Sequence, residues 1–245
     1  MRDQKQIGWF SLYTLIVALA LIAVVGAFSA KAEGLKPSAS PAAQFAPDAP
    51  VAVRTWTGFY VGVNAGYGMT TTEISAGGGS IDGISAHGVV YGVSAGVDYQ
   101  FPRSALVARA RASYDWSNVE FAINPIFKAG FKEGWSGDAG LGYAMGTAMP
   151  YILVGYTEMK TEASIGGTAL PSPDLAGKRV TGGIEWRLPS TGNALFQPTL
   201  ALEATYTAFD SKTYGPVTFE PDDLTVKARI NFGFKGLGDT ARVAP

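Results

Sequence analysis

The sequence predicts an all-β protein, an eight-stranded antiparallel up-and-down transmembrane β-barrel that follows an N-terminal signal peptide. Three observations carry that expectation. Apolar residues recur with period two through eight segments. The face opposite the apolar one is built from Gly, Ser and Thr with a few charges at mid-strand. The connections between segments alternate between long and short.

The composition is unusual for a soluble domain. Of 245 residues, 47% are hydrophobic and 31 are glycine, yet only 16% are charged, where about a quarter is usual. The 19 basic and 20 acidic residues nearly cancel, so no global field points to nucleic acid. With no cysteine and a single histidine, His87, the chain has no disulfide framework, thiol nucleophile or cysteine metal site.

Residues 1–32 read as an export signal. Arg2 and Lys5 precede an apolar run over 9–28, which ends in the small-residue site Ala30-Lys31-Ala32. The run approaches the ~20 residues of a spanning helix, but the residues after it form no stop-transfer segment. Residues 33–55 contain Pro37, Pro41, Pro47 and Pro50 and read as an extended periplasmic linker. The barrel is expected over 56–234 and a C-terminal periplasmic tail over 235–245.

Eight segments carry the strand alternation. In the first, Phe59, Val61, Val63, Ala65 and Tyr67 oppose Tyr60, Gly62, Asn64, Gly66 and Gly68. The second sets Tyr91, Val93, Ala95, Val97 and Tyr99 against Gly92, Ser94, Gly96 and Asp98. In the third, the alternating apolar positions from Leu106 to Trp116 oppose Val107, Arg109, Arg111, Ser113 and Asp115. Trp135 to Tyr143 form the apolar face of the fourth, against Ser136, Asp138, Gly140 and Gly142. The fifth, near 151–159, is apolar on both faces, and its orientation stays open. In the sixth, Val180, Ile184 and Trp186 oppose Thr181, Glu185 and Arg187. The seventh sets Leu200, Leu202 and Tyr206 against Thr199, Glu203 and Thr205. In the last, Val226, Ile230, Phe232 and Phe234 oppose Thr225, Lys227, Arg229 and Asn231.

Period two alone fits a soluble sandwich or barrel with the apolar face inward. Aromatics at the ends of the apolar face match two interfacial girdles. The long connections near 70–86, 118–130, 160–177 and 210–223 alternate with short ones at 101–104, 146–149 and 190–194. Long external loops and short periplasmic turns have that pattern. Backbone groups in hydrocarbon cannot stay unpaired, so the sheet must close.

On the non-oily face, Asp98, Asp115, Asp138, Glu185 and Glu203 balance Arg109, Arg111, Arg187, Lys227 and Arg229. Isolated charges in a narrow lumen would each cost several kcal/mol, so pairing into a plug is expected ahead of an ion conduit. Arg suits this because its planar fork binds two carboxylate oxygens. Outside the lumen, Lys128, Lys132, Lys160, Lys178, Arg179 and Lys212 fall at the outer rim. They could meet lipopolysaccharide phosphates, but Glu133, Glu158, Glu162 and Asp210 lie among them, and ordinary solvated charge is the better reading. His87 and Ser85 lack a carboxylate placed to orient them as a catalytic pair. One histidine is also weak ground for haem ligation. Gly77-Gly78-Gly79-Ser80 lacks the Lys-Ser/Thr of a phosphate loop and reads as a loop tip. No catalytic residue, metal ligand or cofactor is expected.

The run Trp56-Thr57-Gly58-Phe59-Tyr60-Val61-Gly62-Val63-Asn64-Ala65-Gly66-Tyr67-Gly68 closely resembles the first strand of the small outer-membrane β-barrels of alphaproteobacteria. These are porin-like surface antigens similar in architecture to the OmpA membrane domain. Segments 137–143, 181–186 and 224–234 also resemble that family's later strands. The resemblance implies residence in the bacterial outer membrane, an envelope-structural role and, in some members, surface binding of ligands; the alternative function is a narrow porin-like channel or a surface receptor for a small ligand such as haem. It implies lipid and lipopolysaccharide as surroundings and the barrel-assembly machinery as a partner during insertion, with Phe232 and Phe234 as the insertion signal. Contact with peptidoglycan stays open. Two departures stand out: the chain continues past Phe234, and Asp138 replaces the Arg-rich inward pattern often found on the fourth strand.

Overall fold

The computed structural model describes residues 55–76, 79–122, 127–165, 167–170, 174–189, 196–214 and 217–234. The expected signal peptide, most of the linker and the tail lie outside these residues.

Eight long strands form the barrel: β1 Gly58–Ala76, β2 Gly79–Gln100, β3 Leu106–Ala122, β4 Phe127–Tyr143, β5 Ala148–Ile165, β7 Leu175–Arg187, β8 Phe196–Phe209 and β10 Val217–Phe234. Two three-residue strands, β6 Thr168–Leu170 and β9 Lys212–Tyr214, pair with β5 and β10 near the outer end. Each long strand pairs antiparallel with the next in the chain. The sheet closes where β1 meets β10, from Tyr60↔Gly233 to Ala76↔Val217. Closure pairs the two edges that would otherwise stand open.

At the inner end the connection between β4 and β5 is a tight turn. Met145 and Ala148 exchange backbone hydrogen bonds across a two-residue loop, where Gly146 takes φ 62°. At that angle any Cβ is penalised, so Gly fits. Met149, expected in this turn, belongs to β5 and is fully buried.

The alternation of faces is as the sequence predicts. Phe59, Val61, Val63 and Tyr67 of β1 are exposed, with Val63 at 52%, while Tyr60 and Asn64 are buried. The same holds for Val93 against Ser94, Leu202 against Glu203 and Ile230 against Arg229. The fifth strand now has an orientation: Tyr151 and Leu153 point inward, and Ile152, Val154 and Tyr156 point outward. Its inward side is apolar because these side chains fill the lumen, which is why alternation was hidden there.

Aromatic rings belt the exterior at two levels. Near the outer end Tyr91 stacks on Trp116 at 5.8 Å, Trp135 lies 5.8 Å from Tyr156, and Tyr67 lies 5.9 Å from His87. Near the inner end Tyr99 meets Phe101 edge-on at 5.4 Å, and Phe196 meets Phe234 at 5.1 Å. A spanning strand needs only ~9–11 residues, yet β2 has 22.

The surplus lies outside the membrane. Much of the sequence expected as long loops is strand: β1 and β2 stay paired to Ala76↔Gly79, and β3 and β4 to Ala122↔Lys128. Above the outer girdle the pattern inverts. Ala86, Val90, Val119, Phe131, Leu175 and Phe209 form a buried apolar cluster inside the barrel. Lys132, Glu162 and Lys160 stand exposed outside it. A register shift between Phe131 and Glu133 gives β4 one extra residue against β5 and turns Phe131 inward. Such a bulge changes which parity of residues faces in.

Candidate functional site: the filled lumen

The lumen is occupied from end to end, in layers. At the inner mouth Trp56, Val107 and Met149 pack together, all buried. The chain is pinned across this mouth: the Trp56 amide donates to Gln100 Oε1 at 3.0 Å, and the Gln100 amide donates to Thr57 Oγ1 at 3.0 Å. Arg187, expected among the lumen charges, sits here. Its guanidinium lies 4.0 Å from the Trp56 ring centre and donates to the Thr55 carbonyl at 2.6 Å.

The first ionic layer centres on Arg109. Its Nε and Nη2 donate to the two Asp98 oxygens at 2.7 and 2.6 Å, and its Nη1 meets Glu185 Oε2 at 2.6 Å. The rings of Tyr60 and Tyr151 flank the same guanidinium, 5.2 and 4.6 Å away. Cation–π attraction adds to ionic pairing where water is excluded. Glu185 also accepts from Asn231 Nδ2 at 3.0 Å and from the Thr199 hydroxyl.

Glycine makes room for this layer. A Cβ on Gly96 would stand 2.4 Å from the Tyr60 ring and 2.7 Å from the Ala110 carbonyl. We therefore expect Gly96→Ala to destabilise the barrel by about 1–3 kcal/mol through overpacking. Urea titration in detergent micelles measures it, and an unchanged midpoint would show that the ring yields freely.

The next layer joins six strands, β2, β3, β4, β5, β8 and β10. Arg111 donates to Asp138 Oδ2 from Nε (3.2 Å) and Nη2 (3.0 Å), and its Nη1 bonds Glu203. Glu203 also accepts from Tyr151 Oη at 2.5 Å and from Arg229 Nε and Nη2, each at 3.2 Å. Arg229 Nη1 bonds Ser94. Above it, Lys227 donates to Asp115 Oδ2 at 2.7 Å, and Arg179 Nε lies 3.0 Å from Asp138 Oδ1. Arg179 is the residue that sequence reasoning misplaced. It was expected at the outer rim with the lysines, but it is 6% exposed inside the lumen, while its neighbour Lys178 faces out. The strand phase set by Thr181 and Glu185 could have found it.

The rim cations are themselves partnered. Lys160 donates to Glu133 at 2.8 Å, and Lys132 pairs with Glu162. The Lys160 hydrogen bond holds the Glu133 carboxyl below the usual carboxylate range. Lys212 is half-buried in β9, and Lys128 lies in β4 at the outer end. His87, expected in a loop, lies in β2, exposed beside Tyr67. Phe232 and Phe234 are exposed on the outer face of β10 at the inner girdle. Among the described residues no group of three or more His, Cys, Asp or Glu is arranged to hold a metal ion.

A closed antiparallel barrel with an apolar exterior, two aromatic girdles and a polar interior is a transmembrane β-barrel of the outer-membrane type. No family model matches the chain, and no curated protein matches it. Among solved structures it is similar to Neisserial surface protein A, at 18% identity and a TM-score of 0.46, covering 73% of this chain and 98% of that one. It is also similar to the attachment invasion locus protein Ail of Yersinia pestis, at 14% identity and a TM-score of 0.34, covering 71% and 99%. OprG of Pseudomonas aeruginosa matches at 11% identity and a TM-score of 0.36, covering 74% and 97%.

Proposed function

We propose that this protein is a non-enzymatic structural barrel of a bacterial outer membrane. Its lumen is closed; it braces the envelope and displays extended β-hairpins on the cell surface. The observation that carries this reading is the stack of seals in the lumen. An apolar inner mouth, two ionic layers and an apolar outer cluster lie in series on one axis. Any solute would have to break all of them. Near balance of charge favours a plug over an ion conduit, since opposite signs in contact neutralise rather than select.

The first-strand motif supports placing the chain with the small alphaproteobacterial surface antigens. In that setting its outward girdle faces lipid and lipopolysaccharide. Phe232 and Phe234 serve as the signal read by the assembly machinery, although the chain runs on beyond them. Planar-bilayer recording tests the closed lumen. Pure refolded protein is expected to give no steady current above the bare membrane, and a large, steady conductance would overturn the reading.

A further inference from the structure

The inner end of the barrel carries one backbone position that departs from the rest. Phe101, Pro102, Arg103 and Ser104 lead from β2 toward β3, and the Ser104 amide donates to the Phe101 carbonyl at 3.1 Å. Proline suits the second place of such a turn, and the third place, when left-handed, suits glycine. Arg103 stands there instead, with φ 58°. Among the described residues it is the one residue other than glycine with positive φ, while Gly146 and Gly167 hold left-handed positions elsewhere.

A residue with a Cβ is disfavoured in that conformation, so its surroundings must hold it there. The Phe101 amide donates to the Leu106 carbonyl at 3.0 Å, the Leu106 amide to Ser104 Oγ at 3.0 Å, and Gln100 Nε2 to the Ser104 carbonyl at 2.9 Å. None of these bonds uses the Arg103 side chain, and Arg103 is exposed. It has no carboxylate within ion-pair distance among the described residues. Glycine would serve the turn better, so the arginine answers to something outside the fold.

The setting of Arg103 is the membrane interface. Tyr99 and Phe101 precede it, Leu106 follows it, and Tyr143 pairs with Leu106 across the sheet; all four are exposed. Such rings lie at the level of lipid headgroups, which puts the tip of the turn against the phosphates of the inner leaflet. The two ends of the barrel also differ in charge. At the outer end Lys132 and Lys160 pair with Glu162 and Glu133. At the inner end the acids, Asp98 and Glu185, are buried in the lumen with Arg109. Among the described residues there, the charged side chains that are not buried belong to Arg103 and Arg187. Arg187 is engaged by Trp56 and Thr55, which leaves Arg103 to meet an anion from outside.

We propose that Arg103 is a docking point for the phosphate of an anionic phospholipid in the periplasmic leaflet, with the acyl chains of that lipid against Tyr99, Leu106 and Tyr143. The planar guanidinium takes two phosphate oxygens at once, and an anionic membrane surface attracts a cation held beside it. A lipid fits better than a soluble phosphate because the apolar side chains around the turn offer a surface to its chains. The site rests on the lipid-facing exterior and not on the closed lumen, so it stands whether or not the barrel conducts.

The test uses refolded full-length protein in maltoside micelles, which contain no phosphate, unfolded with urea before and after addition of phosphatidylglycerol. Without the lipid, Arg103→Gly should have an unfolded-to-folded ratio about threefold lower than the parent, the strain relieved less the backbone freedom gained. With the lipid, the ratio for the parent should fall about tenfold, the worth of a charged hydrogen bond at an anionic surface. Arg103→Gly should respond little, and Arg103→Lys, which keeps the charge without the fork, should fall between. Equal responses of the parent and Arg103→Gly overturn the proposal. So does a response of the parent to soluble glycerol phosphate as large as that to the lipid. An Arg103→Gly protein less stable than the parent in plain micelles would show the arginine serving the turn itself, and overturns it too. Should Arg103→Gly fail to fold, Arg103→Asn, which also accepts a left-handed backbone, decides.

Discussion

Glu203→Leu is expected to lower the unfolding free energy of the barrel by about 3–5 kcal/mol, the cost of breaking a buried ion pair by removing one partner. Glu203 is 3% exposed and is the point where β3, β5, β8 and β10 meet. Its two oxygens receive Arg111, Arg229 and the Tyr151 hydroxyl. Without it, Arg229 keeps Ser94 alone, and Arg111 keeps Asp138, which Arg179 already shares. Removing the cation together with the anion should therefore recover much of the loss. In Glu203→Leu/Arg229→Met the two charges vanish and apolar volume fills their space, an exchange that is often neutral elsewhere. Urea titration in lipid vesicles, followed by tryptophan fluorescence and by the mobility shift of folded protein on a cold gel, measures both. A single variant within 1 kcal/mol of the parent would mean that the ionic layers are well hydrated, and the plug would fail with them.

The eight-strand count, the inward placement of Arg109, Arg111, Glu203 and Arg229, and the girdle rings were all legible in the sequence. Each rests on alternation, which a pleated strand imposes residue by residue. What escaped did so where alternation loses meaning. In β5 Tyr151 and Leu153 are apolar although they face the lumen, so both sides read alike. In β4 the extra residue between Phe131 and Glu133 shifts the phase, and polar Lys132 and Glu133 beside it look like a loop. Arg179 was masked by Lys178, since two adjacent cations do not tell which one points in. The apolar seals were invisible for another reason. Trp56, Met149, Val119 and Phe209 are far apart in the chain and become one kind of feature only when the sheet closes.

The largest effect on the exterior is expected from Val63→Arg, at about 2–4 kcal/mol of destabilisation. Val63 lies midway between Phe59 and Tyr67 on the lipid-facing side of β1, 52% exposed, and faces Val93 and Ile230 across the sheet. An arginine there must bring its charge into hydrocarbon or thin the bilayer around it. The informative comparison is Thr71→Arg, on the same face of the same strand. Thr71 is exposed four residues beyond Tyr67, above the outer girdle, and a charge there meets water, so its expected cost is near zero. In a soluble barrel both sites would be wet, and neither variant would matter. In a membrane barrel the two must differ, and the difference should shrink in thinner bilayers, where Val63 approaches the interface. Urea titration in vesicles of short- and long-chain lipids gives both numbers. Equal costs at Val63 and Thr71 would remove the membrane from the account, because the only thing that separates these two outward positions is depth.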